Sequence, residues 1–74
     1  MDPMSAKLFA AALALIPLFG VGLGLGRLFS ALISAVGRNP GAKKEVFPLG
    51  LLGAAMTEAV AIFALVVSLL ILFL

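Results

Sequence analysis

Two long apolar stretches, separated by one short polar stretch, make up almost the whole chain. The first runs from about Leu8 to Val36 with Arg27 as its only charged residue, and the second runs from Pro48 to Leu74 with Glu58 as its only charged residue. Each stretch exceeds the ~20 residues that a helix needs to cross the hydrocarbon core of a bilayer. Backbone polar groups in lipid must bond internally, so both stretches are predicted to be transmembrane helices.

The polar stretch, residues 37–47, is the only connection between these helices. One short connection makes two membrane-spanning helices antiparallel. The sequence therefore predicts an all-α membrane protein, in which residues 1–74 form a single two-helix antiparallel hairpin. Its expected parts are helix 1 at about residues 3–37, a polar loop at about 38–46 and helix 2 at about 47–74.

Local signals agree with these boundaries. Asp2 followed by Pro3 is typical of an N-cap and a first helical residue. Pro48 is expected near the start of helix 2, and Asn39-Pro40-Gly41 supplies turn-forming residues in the loop. Pro17 falls inside helix 1, where it is expected to cause a slight kink.

Composition favours lipid as the surroundings of the chain. Of its 74 residues 65% are hydrophobic, which is more apolar surface than a soluble domain of this size can bury. The absence of cysteine and histidine excludes disulfides, thiolate metal sites and thiol nucleophiles, and no metal site is expected. A net charge of +2 with no basic face argues against nucleic-acid binding.

Basic residues predict the orientation of the hairpin. The loop holds Arg38, Lys43 and Lys44 against one acid, Glu45, whereas the N-terminal end has only Lys7. The positive-inside rule then places the loop in the cytoplasm and both termini on the opposite side. The first apolar stretch is too long for the apolar part of a signal peptide, and we expect it to be a permanent span.

Glycine recurs at every second position of helix 1, at Gly20, Gly22, Gly24 and Gly26. At about 100° per residue, Gly20 and Gly24 lie on one side of the helix and the other two lie nearly opposite. Two opposed glycine grooves favour a helix with a close neighbour on each side, as in a closed ring of like helices. Ordinary packing within one hairpin would explain one groove well but two grooves poorly.

In order and separation, these features resemble the c-type proteolipid of F-type ATP synthases, which forms a rotating membrane ring. The resemblance rests on the four alternating glycines, on Arg38-Asn39-Pro40 and on Glu58, and it covers nearly the whole chain. Arg27 departs from the family pattern, as do Ser30, Ser34 and Val36, where smaller residues are common.

The resemblance implies a rotor-ring component that is not an enzyme by itself. Glu58 would be neutral while it faces lipid, where a charged carboxylate is costly, and would ionise near water or a positive charge. Protons would enter and leave through half-channels of the stator's a-type protein, which carries an essential arginine. The turning ring would drive ATP synthesis in a soluble head. Arg38, Asn39 and Pro40 would contact the central stalk. Alternatively, the basic residues of the loop only set the topology and meet anionic headgroups.

The transported ion is expected to be H⁺ rather than Na⁺, and no cofactor is expected. Sodium would need several oxygen ligands around the carboxylate. Sodium-type rings similar to this one have a glutamine and hydroxyl residues at positions occupied here by Leu25, Ala59 and Val60. Thr57 has a hydroxyl, but we expect it to bond to its own helix backbone. The side chains expected to line the Glu58 site are Leu25, Ala59 and Phe63.

Two placements of Arg27 are open from the sequence. In a symmetric hairpin Arg27 and Glu58 would lie at similar depth and could form an ion pair that keeps Glu58 ionised. Alternatively, if Leu25 faces the ion site, Arg27 lies about 200° away around the helix, on the side of Ser30 and Ser34. That polar arc would face the central hole of the ring, with the guanidinium directed towards the loop side.

The sequence is also compatible with two other functions. A passive membrane hairpin, such as a holin-like pore former or an assembly protein, would need neither a mid-helix acid nor two glycine grooves. A small secondary transporter could use Glu58 for proton exchange, but it would need more spans or oligomerisation to form a substrate pocket. The rotor-ring interpretation places the chain in a membrane, most naturally the bacterial plasma membrane.

Overall fold

Three α-helices account for most of the computed structural model, which describes all 74 residues. Helix α1 spans Pro3–Leu13, α2 spans Pro17–Arg38 and α3 spans Lys43–Phe73, with a short 3₁₀ turn at Pro40–Ala42 between α2 and α3. Helices α1 and α2 together form one arm of a hairpin, and α3 forms the other and packs against both. The expected antiparallel hairpin is therefore present.

The hairpin is a narrow rod of 58 × 16 × 8 Å. Each arm is long and apolar enough to cross a membrane, over 36 residues at Pro3–Arg38 and 34 residues at Pro40–Phe73. At 1.5 Å per residue these arms exceed the ~30 Å hydrocarbon core, so the ends of the rod extend beyond it.

The first residues of α1 are capped as the sequence predicts. The Asp2 side chain accepts a hydrogen bond of 2.7 Å from the Ser5 backbone N–H, and Pro3 occupies the first helical position. This backbone hydrogen bond lowers the pKa of Asp2 below its ordinary value because it stabilises the carboxylate.

Helix 1 is divided at residues 14–16 rather than continuous over 3–37. Pro17 has no backbone N–H to donate to Leu13. The chain there tightens into 3₁₀-type hydrogen bonds, including Leu15 N–H to the Ala12 carbonyl and Ile16 N–H to the Leu13 carbonyl, both 3.1 Å. In place of the slight kink expected at Pro17, a short non-helical turn separates α1 from α2.

The polar loop is also shorter than the expected range 38–46. Only Asn39 and the 3₁₀ turn separate the arms, and α3 begins at Lys43 rather than near residue 47. Glu45 in the first turn of α3 favours this early start, because a negative charge there complements the helix dipole. Pro48 is the sixth residue of α3 and has no backbone N–H to donate to the Lys44 carbonyl, yet α3 continues through it.

Very little of the hairpin is buried by its own folding. Only Ala11, Val21, Ala61 and Ser68 are buried, while large apolar side chains along both arms are exposed. A single copy therefore has no core of the kind that stabilises a soluble domain. Lipid or other protein must cover the remaining apolar surface.

Small residues set the spacing and register of α2 against α3. A Cβ atom added to Gly24 would lie 3.9 Å from the Thr57 side chain, one on Gly53 would lie 3.2 Å from Leu28, and one on Gly50 would lie 2.8 Å from Leu32. Gly50 and Gly53 thus receive two leucine side chains of α2. These contacts fix which residues of the two arms lie at the same depth.

Candidate functional site

Glu58 lies on α3 at the edge of a shallow apolar groove. The groove is formed by Ala61, Ile62 and Leu65 of α3 and by Leu18 of α2. The three α3 residues follow Glu58 at spacings of three, four and seven, so they share its face of the helix. Glu58 itself is exposed in the single chain and has no hydrogen-bond or ion-pair partner within it.

The three side chains predicted to line the site are not in this groove. Ala59 and Phe63 are exposed, and Phe63 points about 140° away from Glu58 around α3. Leu25 is half-buried on the same side of α2 as Leu18, but nearer the loop. Within one hairpin these residues do not enclose Glu58, and their role in an assembled site stays a prediction.

Sequence reasoning missed the residues that line the groove beside Glu58. Helical spacing from Glu58 could have indicated Ala61, Ile62 and Leu65. Leu18 could not be found that way, because its contact with this groove depends on the register between α2 and α3 and on the turn before Pro17.

The only hydroxyl next to Glu58 in the sequence is directed elsewhere. Thr57 Oγ1 donates a 2.8 Å hydrogen bond to the Gly53 carbonyl of its own helix. Its methyl group faces Gly24 of α2. The prediction that Thr57 bonds to its own backbone is confirmed, and every side chain lining the Glu58 groove apart from the acid is a hydrocarbon.

Arg27 is separated from Glu58 in both depth and direction. The contact between Gly24 and Thr57 places Glu58 slightly farther from the loop than Gly24, while Arg27 lies on the loop side of Gly24. The two residues therefore differ by about four residues of helix, or about 6 Å along the axis. The similar depth that a symmetric hairpin would give is not observed.

The direction of Arg27 is also wrong for a pair with Glu58 of the same chain. Arg27 lies about 180° around α2 from Leu18, which lines the Glu58 groove. Instead it lines a different groove together with Ser30 and Ser34, on the side of α2 away from α3. The second of the two sequence-based placements, a shared polar arc, agrees with this geometry.

The four alternating glycines of α2 are divided between its two sides. Gly24 faces α3 across the Thr57 methyl group, whereas Gly20, Gly22 and Gly26 have no atom within 4 Å of an added Cβ. Gly22 and Gly26 lie in the groove that contains Arg27. One glycine is thus used inside the hairpin, and the other three leave open surface on α2.

The three loop residues of the sequence motif form the tip of the hairpin. Arg38 ends α2, Asn39 donates its backbone N–H to the Ala35 carbonyl, and Pro40 begins the 3₁₀ turn. The turn closes with a 2.9 Å hydrogen bond from Ala42 N–H to the Asn39 carbonyl. All three motif residues are exposed and accessible to a partner.

These features define a small two-span membrane protein with a lone carboxyl near the middle of its second span. Comparison with known sequences gives the family. Residues 9–71 match the family of the ATP synthase C subunit. The chain belongs to that family.

Relatives from bacteria and from a mitochondrion match almost end to end. The ATP synthase c subunit of Granulibacter bethesdensis is 52% identical over 73 residues, which are 99% of each chain. That of Rhodospirillum rubrum is 51% identical over 99% of this chain and 97% of the relative. The mitochondrial ATP synthase subunit 9 of Chondrus crispus is 52% identical over 93% of this chain and 91% of the relative.

Family membership confirms the resemblance that the sequence motifs indicated. The protein is an integral membrane component of the ATP synthase complex and not an enzyme by itself. The passive-hairpin alternative is not favoured.

Proposed function

We propose that the chain assembles with identical copies into the rotor ring of ATP synthase and that Glu58 is the proton-binding carboxyl of each copy. The observation that carries this proposal is the position of Glu58. It is the only acid within the two apolar stretches, and it lies at the edge of a hydrocarbon groove instead of in a salt bridge.

Such a carboxyl behaves as a position-dependent switch. A charged side chain at the centre of a bilayer costs at least ~2.5 kcal/mol, so a copy that faces lipid keeps Glu58 protonated. A copy that reaches water or the arginine of the stator can release its proton. The membrane potential then supplies ~2.3 kcal/mol per charge per 100 mV, which biases the direction of turning.

The chemistry around Glu58 supports a proton over a sodium ion. Sodium requires several oxygen ligands, but the groove offers Leu18, Ala61, Ile62 and Leu65. The nearest hydroxyl, that of Thr57, already donates to the Gly53 carbonyl. The carboxyl can hold a proton without any further ligand.

Open surfaces on the hairpin support assembly into a ring. Three of the four alternating glycines of α2 have no neighbouring atom within 4 Å of an added Cβ, and most large apolar side chains are exposed. Small residues allow helix backbones to approach closely in lipid, where packing contacts drive association. Neighbouring copies on both sides of α2 would use these surfaces and would complete the Glu58 site with residues such as Leu25 and Phe63.

The loop is the part of the hairpin that would contact the rest of the ATP synthase complex. Arg38, Asn39 and Pro40 are exposed at the tip of the hairpin, where the central stalk could reach them. The excess of basic residues there favours a cytoplasmic loop, with both termini on the opposite side of the membrane. In a bacterial cell this membrane is the plasma membrane.

Carbodiimide labelling of the purified assembly tests the role of Glu58. Carbodiimides react with protonated carboxyls, and mass spectrometry separates labelling at Glu58 from labelling at Glu45, the exposed acid of the loop end. We expect labelling at Glu58 that decreases as pH rises, no protection by sodium, and loss of proton transport in Glu58→Gln. Protection by sodium would contradict the choice of ion. Normal transport in Glu58→Gln would contradict the role of Glu58.

A further inference from the structure

A polar stripe runs along the side of α2 that faces away from α3. Arg27, Ser30 and Ser34 line one groove of about 500 Å³ together with Gly22 and Gly26. Arg38 follows Ser34 by four residues, so the spacings along the stripe are three, four and four. At about 100° per residue, these four polar residues fall within an arc of about 80°.

Arg27 has no counter-charge in its own chain. The three acids are Asp2, Glu45 and Glu58. Asp2 caps α1 at the far end of the rod, and Glu45 lies in the first turn of α3. Glu58 lines a groove on the other side of α2. A guanidinium stays charged under all ordinary conditions, so a position within the membrane span requires an anion or water from outside the chain.

The stripe leads from Arg27 to the loop end of the hairpin. Ser30 and Ser34 lie about 4.5 Å and about 10 Å nearer the loop, and Arg38 lies about 16 Å away at the end of α2. Basic residues at that end attract anionic headgroups. The two hydroxyls and the guanidinium form a series of hydrogen-bond donors that descends from the headgroup region into the span.

We propose that this stripe, formed by Arg27, Ser30, Ser34 and Arg38, binds the phosphate group of an anionic lipid from the loop-side leaflet. A phosphate presents several acceptor oxygens, and arginine can contact two of them at once. Ser30 and Ser34 line the same groove as Arg27 and add two hydroxyl donors for this phosphate. The lipid phosphate supplies the counter-charge for Arg27 that the chain itself lacks. Glu58 is therefore not needed as the ion-pair partner of Arg27. The site is independent of the ion that Glu58 carries.

Lipid retention by the assembled ring tests this site. The purified ring is incubated with an equal mixture of phosphatidylglycerol and phosphatidylcholine, and native mass spectrometry counts the lipids that remain bound. We expect preferential retention of phosphatidylglycerol, reduced about tenfold in Arg27→Gln because a charge-assisted hydrogen bond is lost. Ser30→Ala combined with Ser34→Ala should weaken retention less. Lys44→Gln is the matched control, since Lys44 is an exposed basic residue at the loop end outside the stripe, and it should retain the wild-type preference.

Three results obtained with the wild-type, Arg27→Gln and Lys44→Gln rings would overturn the proposal. The first is equal retention of the two lipids by the wild-type ring. The second is an equal loss of phosphatidylglycerol in Arg27→Gln and Lys44→Gln, which would indicate general attraction to basic residues. The third is displacement of the lipid by millimolar inorganic phosphate, which would indicate a site for free anions. If Arg27→Gln does not assemble into a ring, the variant that combines Ser30→Ala with Ser34→Ala provides the test. Unchanged retention of phosphatidylglycerol by that variant would contradict a lipid site on the stripe.

Discussion

The hydroxyl of Ser68 donates a 2.8 Å hydrogen bond to the backbone carbonyl of Ala11, joining α3 to α1. Both residues are 4% exposed and are among the four buried residues of the chain. In a continuous helix the Ala11 carbonyl would accept from Leu15 N–H, which here bonds to Ala12. Ser68 therefore satisfies a backbone carbonyl that the turn before Pro17 leaves free, as polar side chains do at broken helices in membranes.

Replacing Ser68 by alanine should destabilise the hairpin. Ser68→Ala removes the hydroxyl and leaves the buried Ala11 carbonyl without a partner, for which we expect a loss of about 1 kcal/mol. Thr57→Val is the matched control, because it removes a hydroxyl that only bonds within α3 and keeps the methyl group that faces Gly24. Denaturant titration of the ring measures both variants. An equal loss of stability in the two variants would mean that the hydrogen bond between Ser68 and Ala11 contributes nothing to the stability of the ring.

The sequence was sufficient to predict the hairpin, because a long apolar run in lipid has essentially one solution, a helix. It also predicted the Asp2 cap, whose chemistry is local. It could not predict Ser68, since nothing in the letters around it shows that a carbonyl 57 residues away lacks a partner. The position of Leu18 in the Glu58 groove could not be predicted either. It depends on the register between the two arms, which is set by the contacts of α3 glycines with α2 leucines.

The tightest glycine contacts between the two arms are made by Gly50 and Gly53 of α3 and not by the alternating glycines of α2. A Cβ on Gly50 would lie 2.8 Å from one terminal methyl of Leu32 and 3.2 Å from the other, so Gly50→Ala requires Leu32 to move. Gly37→Ala is the control, since nothing lies within 4 Å there and both variants gain similar helix propensity. We expect Gly50→Ala to be less stable than Gly37→Ala by about 1 kcal/mol in thermal unfolding.

A double-variant cycle tests whether contact with Leu32 causes the loss of stability in Gly50→Ala. Leu32→Ala removes the methyl groups that an alanine at position 50 would meet, so the two substitutions together should be less harmful than their separate effects added. Strict additivity would show that Leu32 does not oppose the new methyl group.

Replacing Arg27 should leave the carbodiimide labelling of Glu58 unchanged. The two residues line different grooves and differ in depth, so Arg27→Gln is expected to give the same pH profile of carbodiimide labelling at Glu58 as the wild-type ring. Ring assembly and lipid content are the properties that Arg27→Gln should change. A displaced labelling profile would instead reveal an ion pair, with Glu58 of the same or a neighbouring copy.

The Asp2 cap should make the first turn of α1 sensitive to acid. Its pKa is lowered in the folded chain by the Ser5 N–H, so the stabilisation is present above the unfolded pKa of ~3.9 and is lost as pH falls through the folded value. Hydrogen exchange at the Ser5 amide should therefore become faster, relative to its intrinsic rate, at low pH. Asp2→Asn retains a capping oxygen that does not titrate, and in that variant the pH dependence should disappear.

Pro17 and Ser68 should be energetically coupled, although they lie on different helices. In Pro17→Ala the new backbone N–H can donate to Leu13, which allows α1 and α2 to join and Leu15 N–H to return to the Ala11 carbonyl. The Ser68 hydroxyl then loses its role as the only donor to that carbonyl. Ser68→Ala should consequently destabilise the Pro17→Ala protein less than the wild-type protein, by about 1 kcal/mol.

The same cycle separates this explanation from simple packing. If Ser68 matters only because it fills space against Ala11, its replacement should have the same effect in both backgrounds. Ser68→Cys provides the control for size, since it keeps similar volume with a much weaker donor. In the wild-type background Ser68→Cys should resemble Ser68→Ala, and in the Pro17→Ala background both should approach the stability of their parent. These results would show that the turn at residues 14–16 leaves the Ala11 carbonyl without its helix donor and that the Ser68 hydroxyl replaces that donor.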